Sequence, residues 1–110
     1  MLLSVFTPTY NRAHTLGRLY ESLCKQTCSD FEWVIVNDGS TDDTEKMVDG
    51  WIAEGKININ YFYQMNSGKS QAHNKGVELS KGDLFVCVDS DDYLSEDAVE
   101  RVLSCWNDAK

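Results

Sequence analysis

The chain has 110 residues, enough for one modest domain, and an apolar fraction of 42% with three tryptophans supports a packed core. Eighteen acidic residues against ten basic ones give a formal net charge of −8, which argues against nucleic acid or an anionic membrane surface as the main partner. No apolar run approaches the roughly 20 residues needed to span a bilayer, and no basic stretch leads into an apolar one at the start, so a soluble cytoplasmic domain is expected.

Residues 2–6 read as a first apolar strand, stopped at Thr7-Pro8-Thr9 because proline cannot donate to a ladder. Asn11 is the expected N-cap of a helix whose Leu16, Leu19, Tyr20 and Leu23 share one face, ending near Thr27. Residues 31–36 form a second strand running into Asn37-Asp38-Gly39-Ser40. Ser40 and Asp43 have the spacing of a capping box for a second helix. Met47, Val48, Trp51 and Ile52 make its buried stripe, with Gly55 just past its end. Residues 57–63 read as a third strand, 64–68 as a loop, and 69–80 as a third helix with Ala72, Gly76, Val77 and Leu79 inward. Residues 84–88 are an unbroken apolar run, the pattern of a strand buried on both faces. Ser95 is placed to cap a last helix with Glu96 and Asp97 in its first turn and Ala98, Val99, Val102, Leu103 and Trp106 on its apolar side.

Strand and helix thus alternate four times. Parallel strands need right-handed helical crossovers, so the expected fold is α/β: three layers, α/β/α, around a mainly parallel sheet of about four strands, a Rossmann-like half of a doubly wound fold. Cys24, Cys28, Cys87 and Cys105 contain no CxxC pair. Cys24 and Cys28 could share a helix face, but no second Cys/His pair completes a zinc site, so all four read as free thiols.

Ligands in such sheets sit outside the carboxyl ends of the strands. Every strand here ends in a polar cluster: Thr7-Pro8-Thr9-Tyr10-Asn11-Arg12, Asn37-Asp38-Gly39-Ser40, Asn66-Ser67-Gly68-Lys69 and Asp89-Ser90-Asp91-Asp92. Each alone is ordinary turn chemistry; their convergence on one sheet edge indicates a binding site. The aspartates of the last cluster repel one another, and a hard divalent cation relieves that repulsion through oxygen ligands. Asp38 is placed to accept from a ribose hydroxyl or a ring N–H. Lys69 and the first N–H groups of the third helix could face phosphate oxygens, or Lys69 could be a solvated surface lysine. His73, one turn into that helix, reads as a packed or surface residue rather than a ligand contact.

Taken together, Thr7–Arg12, Val36-Asn37-Asp38-Gly39-Ser40-Thr41-Asp42, residues 66–76 and Val88-Asp89-Ser90-Asp91-Asp92 resemble, in order and over almost the whole chain, the signatures of the family 2 inverting glycosyltransferases with the GT-A fold. The resemblance implies that residues 1–110 are the nucleotide-sugar-binding part of such a domain, stopping before the acceptor-binding part. It implies that Thr7, Pro8, Thr9 and Tyr10 hold the nucleoside with Asp38 reaching the base. It further implies donor contacts from Arg12, Asn66, Gly68, Lys69, Asn74 and Ser90. Asp89 and Asp91 match the Asp-x-Asp motif: Asp89 is implied to lie towards the ribose or the metal, and Asp91 to coordinate the divalent cation, Mn2+ or Mg2+, that bridges the diphosphate, with Asp92 as a neighbour. The implied donor is a nucleotide-diphosphate sugar, a UDP-sugar first among them, and the acceptor a glycan or lipid-linked hydroxyl.

Two departures from the family pattern matter. Ala72-His73-Asn74 stands where Ala-Arg-Asn is common, which weakens a basic nucleotide contact or makes it pH-dependent. No motif here fills the role of the general base, which is expected beyond residue 110, so these residues are expected to bind donor without transferring. Truncation is also expected to leave the edge of the fourth strand unpaired and open to self-association. In a longer protein the expected location is cytoplasmic, peripheral to the inner face of the membrane. The rival readings are a non-catalytic nucleotide- or sugar-binding module and a receiver-like signalling domain. The latter needs an Asp where the third strand ends in Tyr63-Gln64-Met65-Asn66. A nicotinamide dehydrogenase needs a glycine-rich turn after the first strand, and a P-loop kinase needs GxxxxGK[ST]; neither is present.

Overall fold

The computed structural model describes residues 2–109, except the side chains of Lys69 and residues 106–109, so the expected inward packing of Trp106 lies outside the described residues. Strands β1 (Leu3–Thr9), β2 (Phe31–Asp38), β3 (Ile59–Gln64) and β4 (Leu84–Cys87) alternate with helices α1 (Ala13–Cys24), α2 (Thr44–Glu54), α3 (Lys69–Leu79) and α4 (Ala98–Ala109). The sheet is wholly parallel, in the order β3-β2-β1-β4. The chain therefore winds outward from β1 to β3, then crosses back over the sheet to place β4 on the other side of β1. Right-handed crossovers put α1 and α2 on one face and α3 on the other, and α4 returns to the first face.

Alternation along β1 and β2 supplies both cores. Leu3, Val5, Phe31, Trp33 and Ile35 pack with Leu16, Leu19, Tyr20 and Leu23 of α1, Val48 of α2 and Val99 and Leu103 of α4. Phe6, Val34 and Val36 pack the opposite way, against Ala72 of α3. Within the larger core the rings of Tyr20 and Trp51 stack at 4.3 Å between centroids, over Trp33. Each such buried side chain contributes roughly 1.5–3 kcal/mol.

Several sequence-based expectations are corrected. Strand β1 does not stop before Pro8, which pairs in register with Val36. The carbonyl of Phe6 accepts from Val88 on the β4 side, so Pro8, two residues on, turns its missing N–H to that same side, beyond the last paired residue of β4. Strand β4 is not buried on both faces: it is the sheet edge, with Leu84 and Val86 half-buried and Phe85 and Cys87 exposed. Ile52 and Val77, assigned inward, are 45% and 54% exposed. Cys24, Cys28 and Cys105 are free thiols, as expected. No helix among the described residues is long and apolar enough to cross a membrane.

Candidate functional site

Because strand order reverses between β1 and β4, the loops after these strands diverge and leave a crevice, the place where open α/β sheets bind ligands. A cleft of about 510 Å³ opens there, lined by Pro8, Thr9, Tyr10 and Arg12 after β1, Asp38 at the end of β2, Asn66 after β3, Ala72 on α3, and Asp89, Ser90 and Asp91 after β4. All four strand-end clusters thus meet in one cavity. The buried hydroxyl of Thr9 has no hydrogen-bond partner among the described residues, a polar group of the kind that a ligand satisfies.

Asp38 is buried and anchored by the loop that follows β3. Its Oδ1 accepts from the Gln64 amide at 2.9 Å and the Ser67 N–H at 2.8 Å, and its Oδ2 accepts from the Gly68 N–H at 3.1 Å. Burial pushes its pKa up, but these bonds outweigh it and hold the carboxyl below its ordinary value. Three of its roughly four acceptor positions are therefore taken by the protein. The Ser67 and Gly68 N–H groups, just before α3, are thus occupied by this carboxylate. The two loops can approach because residue 39 is glycine. Its φ of +76° is left-handed, and a Cβ there would lie 2.7 Å from the Asn66 nitrogen.

The acidic cluster is a turn closed by a bond from the Asp92 N–H to the Asp89 carbonyl at 3.1 Å. Carboxylate oxygens of Asp89, Asp91 and Asp92 lie within 4.8 Å of one another, and all three residues are exposed. Being exposed, they incur little desolvation cost, and only their mutual repulsion is left for a cation to relieve. A cluster of oxygen donors at this spacing suits a hard divalent cation.

The wall formed by Tyr10 and Arg12 is set by contacts between loops. Arg12, not Asn11, is the N-cap of α1, and no side chain of its own caps that helix. Asn11 is left-handed, with φ +50°; its N–H donates to Ser40 Oγ at 2.9 Å and its Oδ1 accepts from the Thr41 N–H at 2.8 Å. Ser40 is thereby drawn away from the expected capping box. Asp42 replaces both caps: Oδ2 accepts from the Ala13 N–H at 3.1 Å, and Oδ1 accepts from the Thr44 N–H and hydroxyl at 3.1 and 2.5 Å.

Of the residues singled out from the sequence, the cleft brings together Pro8, Thr9, Tyr10, Arg12, Asp38, Asn66, Asp89, Ser90 and Asp91. Thr7 does not join them: it is fully buried and its hydroxyl accepts from the Trp33 indole N–H at 3.0 Å. Gly68 serves Asp38, Asn74 is exposed outside the cleft lining, and the side chain of Lys69 lies outside the described residues. His73 is a surface residue set edge-on to Phe6 and Phe85. Ala72 and Gln64 were missed. Gln64, at a strand end facing Asp38 in the sheet register, carried the only signal that could have found it.

The family profile described as Glycosyl transferase family 2 matches residues 4–109. Glycosyltransferase GlyG of Streptococcus pneumoniae is 35% identical over 102 residues, covering 92% of this chain and 34% of that protein. A chondroitin synthase of Escherichia coli is 38% identical over 102 residues, covering 93% of this chain and 15% of that protein. Among solved structures, S. aureus TarS 1-349 in complex with UDP-GlcNAc is similar with a TM-score of 0.91 at 31% identity, covering 98% of this chain and 32% of that one. The mannosyltransferase PcManGT from Pyrobaculum calidifontis, in complex with GDP-Man and Mn2+, gives 0.77 at 26% identity, covering 83% and 28%. The chain therefore spans about a third or less of the length of these relatives. A family match over nearly every residue and a parallel sheet that superposes on these enzymes lead to one conclusion: the chain belongs to glycosyltransferase family 2 and has the α/β architecture of its GT-A fold.

Proposed function

We propose that residues 1–110 are the donor-binding part of a glycosyltransferase that moves a sugar, with inversion, from a nucleoside diphosphate sugar to a hydroxyl of a glycan or lipid-linked acceptor. The observation that carries this reading is the single cleft in which an anchored carboxylate, Asp38, faces the acidic turn from across the topological switch point. The uridine nucleotide is favoured by the similarity to TarS in complex with UDP-GlcNAc. The half-exposed ring of Tyr10 offers a flat surface for the base, and Asp38 has an acceptor position left for a base N–H. Arg12 lines the cleft, and its guanidinium is a partner for phosphate charge.

Asp89 and Asp91 would hold a divalent cation, Mn2+ or Mg2+, with Asp92 beside them. When bound, that ion supplies the positive charge that stabilises a departing nucleoside diphosphate. Inversion requires a base on the side of the sugar opposite the leaving group. The carboxylates lining the cleft among the described residues are Asp38, Asp89 and Asp91; the first is hydrogen-bonded into the fold and the others belong to the cation. In this reading the chain binds donor and does not transfer it.

Calorimetric titration with uridine diphosphate, with and without Mn2+, on the chain and on Asp91→Ala tests this. Saturable, Mn2+-dependent binding that Asp91→Ala reduces at least tenfold is expected. Absence of binding to folded protein, repeated with guanosine and cytidine diphosphates, would refute the donor-site reading; binding of one of those alone would reassign the nucleotide.

A further inference from the structure

Helix α1 and the turn after it carry a polar stripe at helical spacing: Thr15, Arg18, Ser22 and Gln26. Each member reaches the segment that follows β4. The Thr15 hydroxyl donates to the Ser90 carbonyl at 3.0 Å, and the Arg18 guanidinium lies 5.4 Å from the centre of the Tyr93 ring. Ser22 Oγ accepts from the Leu94 N–H at 3.1 Å. The Gln26 amide donates to the Ser95 carbonyl at 2.7 Å and accepts from the Val99 N–H at 3.0 Å. A stretch with little regular structure before Ala98 is thus laid in register along one helix.

Thr15 is the member that touches the acidic turn. Ser90 sits between Asp89 and Asp91 and is buried, so its carbonyl needs a partner. The competing acceptor for the single hydroxyl proton is the Arg12 carbonyl at 3.2 Å, which already accepts from the Thr15 and Leu16 N–H groups. The Ser90 carbonyl is therefore the better partner. We propose that Thr15 is a positioning residue: its hydroxyl pins the Ser90 peptide to α1 and so fixes the Asp89 and Asp91 carboxylates relative to the Arg12 wall from which that helix starts. The consequence for cation binding rests on the donor-site reading above.

The test uses Thr15→Val, which keeps the side-chain shape, Thr15→Ala as a second variant lacking the hydroxyl, and Thr15→Ser, which restores it. Two quantities are measured: Mn2+ affinity without nucleotide, by paramagnetic resonance, and amide hydrogen exchange of residues 89–93 in metal-free protein. Loss of one hydrogen bond corresponds to a roughly three- to tenfold weaker Mn2+ affinity and comparably faster exchange in the turn for Thr15→Val, with both recovered in Thr15→Ser. Ser22→Ala, on the same stripe but away from the turn, is expected to speed exchange at Leu94 while leaving Mn2+ affinity within about twofold. Wild-type-like exchange at residues 89–93 in Thr15→Val and Thr15→Ala overturns the proposal. So does an equal loss of Mn2+ affinity in Ser22→Ala, or failure of Thr15→Ser to recover. If the wild-type chain takes up no Mn2+, the cation reading falls, and the exchange measurement alone decides the role of Thr15.

Discussion

Asp38, in the cleft lining, and Asp42, at the start of α1, hold their charge by the same balance of forces. For Asp38 and Asp42 alike, burial raises the pKa and hydrogen bonds to the carboxylate more than reverse it. The bonds come from Gln64, Ser67 and Gly68 at Asp38, and from Thr44 and Ala13 at Asp42. A carboxyl whose folded pKa is depressed contributes stability that is complete above its unfolded value of about 3.9 and disappears as pH falls through the folded value. Asp38, being buried, gives the measurable case. Asp38→Asn, which sets an NH2 group against at least one of the three N–H donors that converge there, is expected to cost about 1–3 kcal/mol at pH 7. In urea titrations its difference from wild type should stay constant down to about pH 5 and shrink steadily below pH 4. A difference independent of pH would mean that shape, not charge, anchors the loop. None of this was legible in the sequence: Asp38 looked like a free acceptor because local spacing says nothing about a loop arriving from 29 residues away.

At the scale of elements, the alternation of strands and helices was readable because apolar period and length separate the two. Element ends were less so. The polar pair Asn37-Asp38 stays in the sheet because β1 and β3 continue alongside it. The expected caps failed for one shared reason: acceptors come from other elements. Asp42 serves α1, Asp38 serves Gly68 immediately before α3, and Gln26 serves α4. Ser95, expected to cap α4, instead donates to Asp97 at 3.1 Å. Helix α3 also packs close to the sheet, since a Cβ on Gly76 would lie 2.2 Å from the nearest atom of the Phe6 ring. Phe6 is fully buried on the strand between β2 and β4, its ring against Phe85 and His73, so it can yield only by displacing them. Gly76→Ala is therefore expected to lose about 1–3 kcal/mol in urea unfolding despite the better helix propensity of alanine. A stabilised variant would mean that α3 shifts outward at little cost.

For the whole molecule, the convergence of polar loops was the most legible feature, because a parallel sheet sends every strand's end to the same side. Strand order was not. An apolar run such as residues 84–88 reads identically in the centre of a sheet or at its rim, and only the order β3-β2-β1-β4 reveals which. The rim position leaves the outer backbone groups of β4 without a neighbouring strand among the described residues, next to an exposed Phe85. We expect the chain to pair with a second copy there. Sedimentation over a hundredfold concentration range should show a reversible increase in mass that Phe85→Lys reduces. A constant monomer mass would dismiss the idea.

The borrowed helix caps carry a consequence for how this domain can change over evolutionary time. Because α1 is terminated by a side chain that follows β2, and α4 by one that follows α1, neither helix is a self-contained part. A recombination point between them would separate a helix from its own terminator. Exchange between relatives therefore has to move the whole β1-to-α4 block, or carry the residues at positions 26 and 42 along with it.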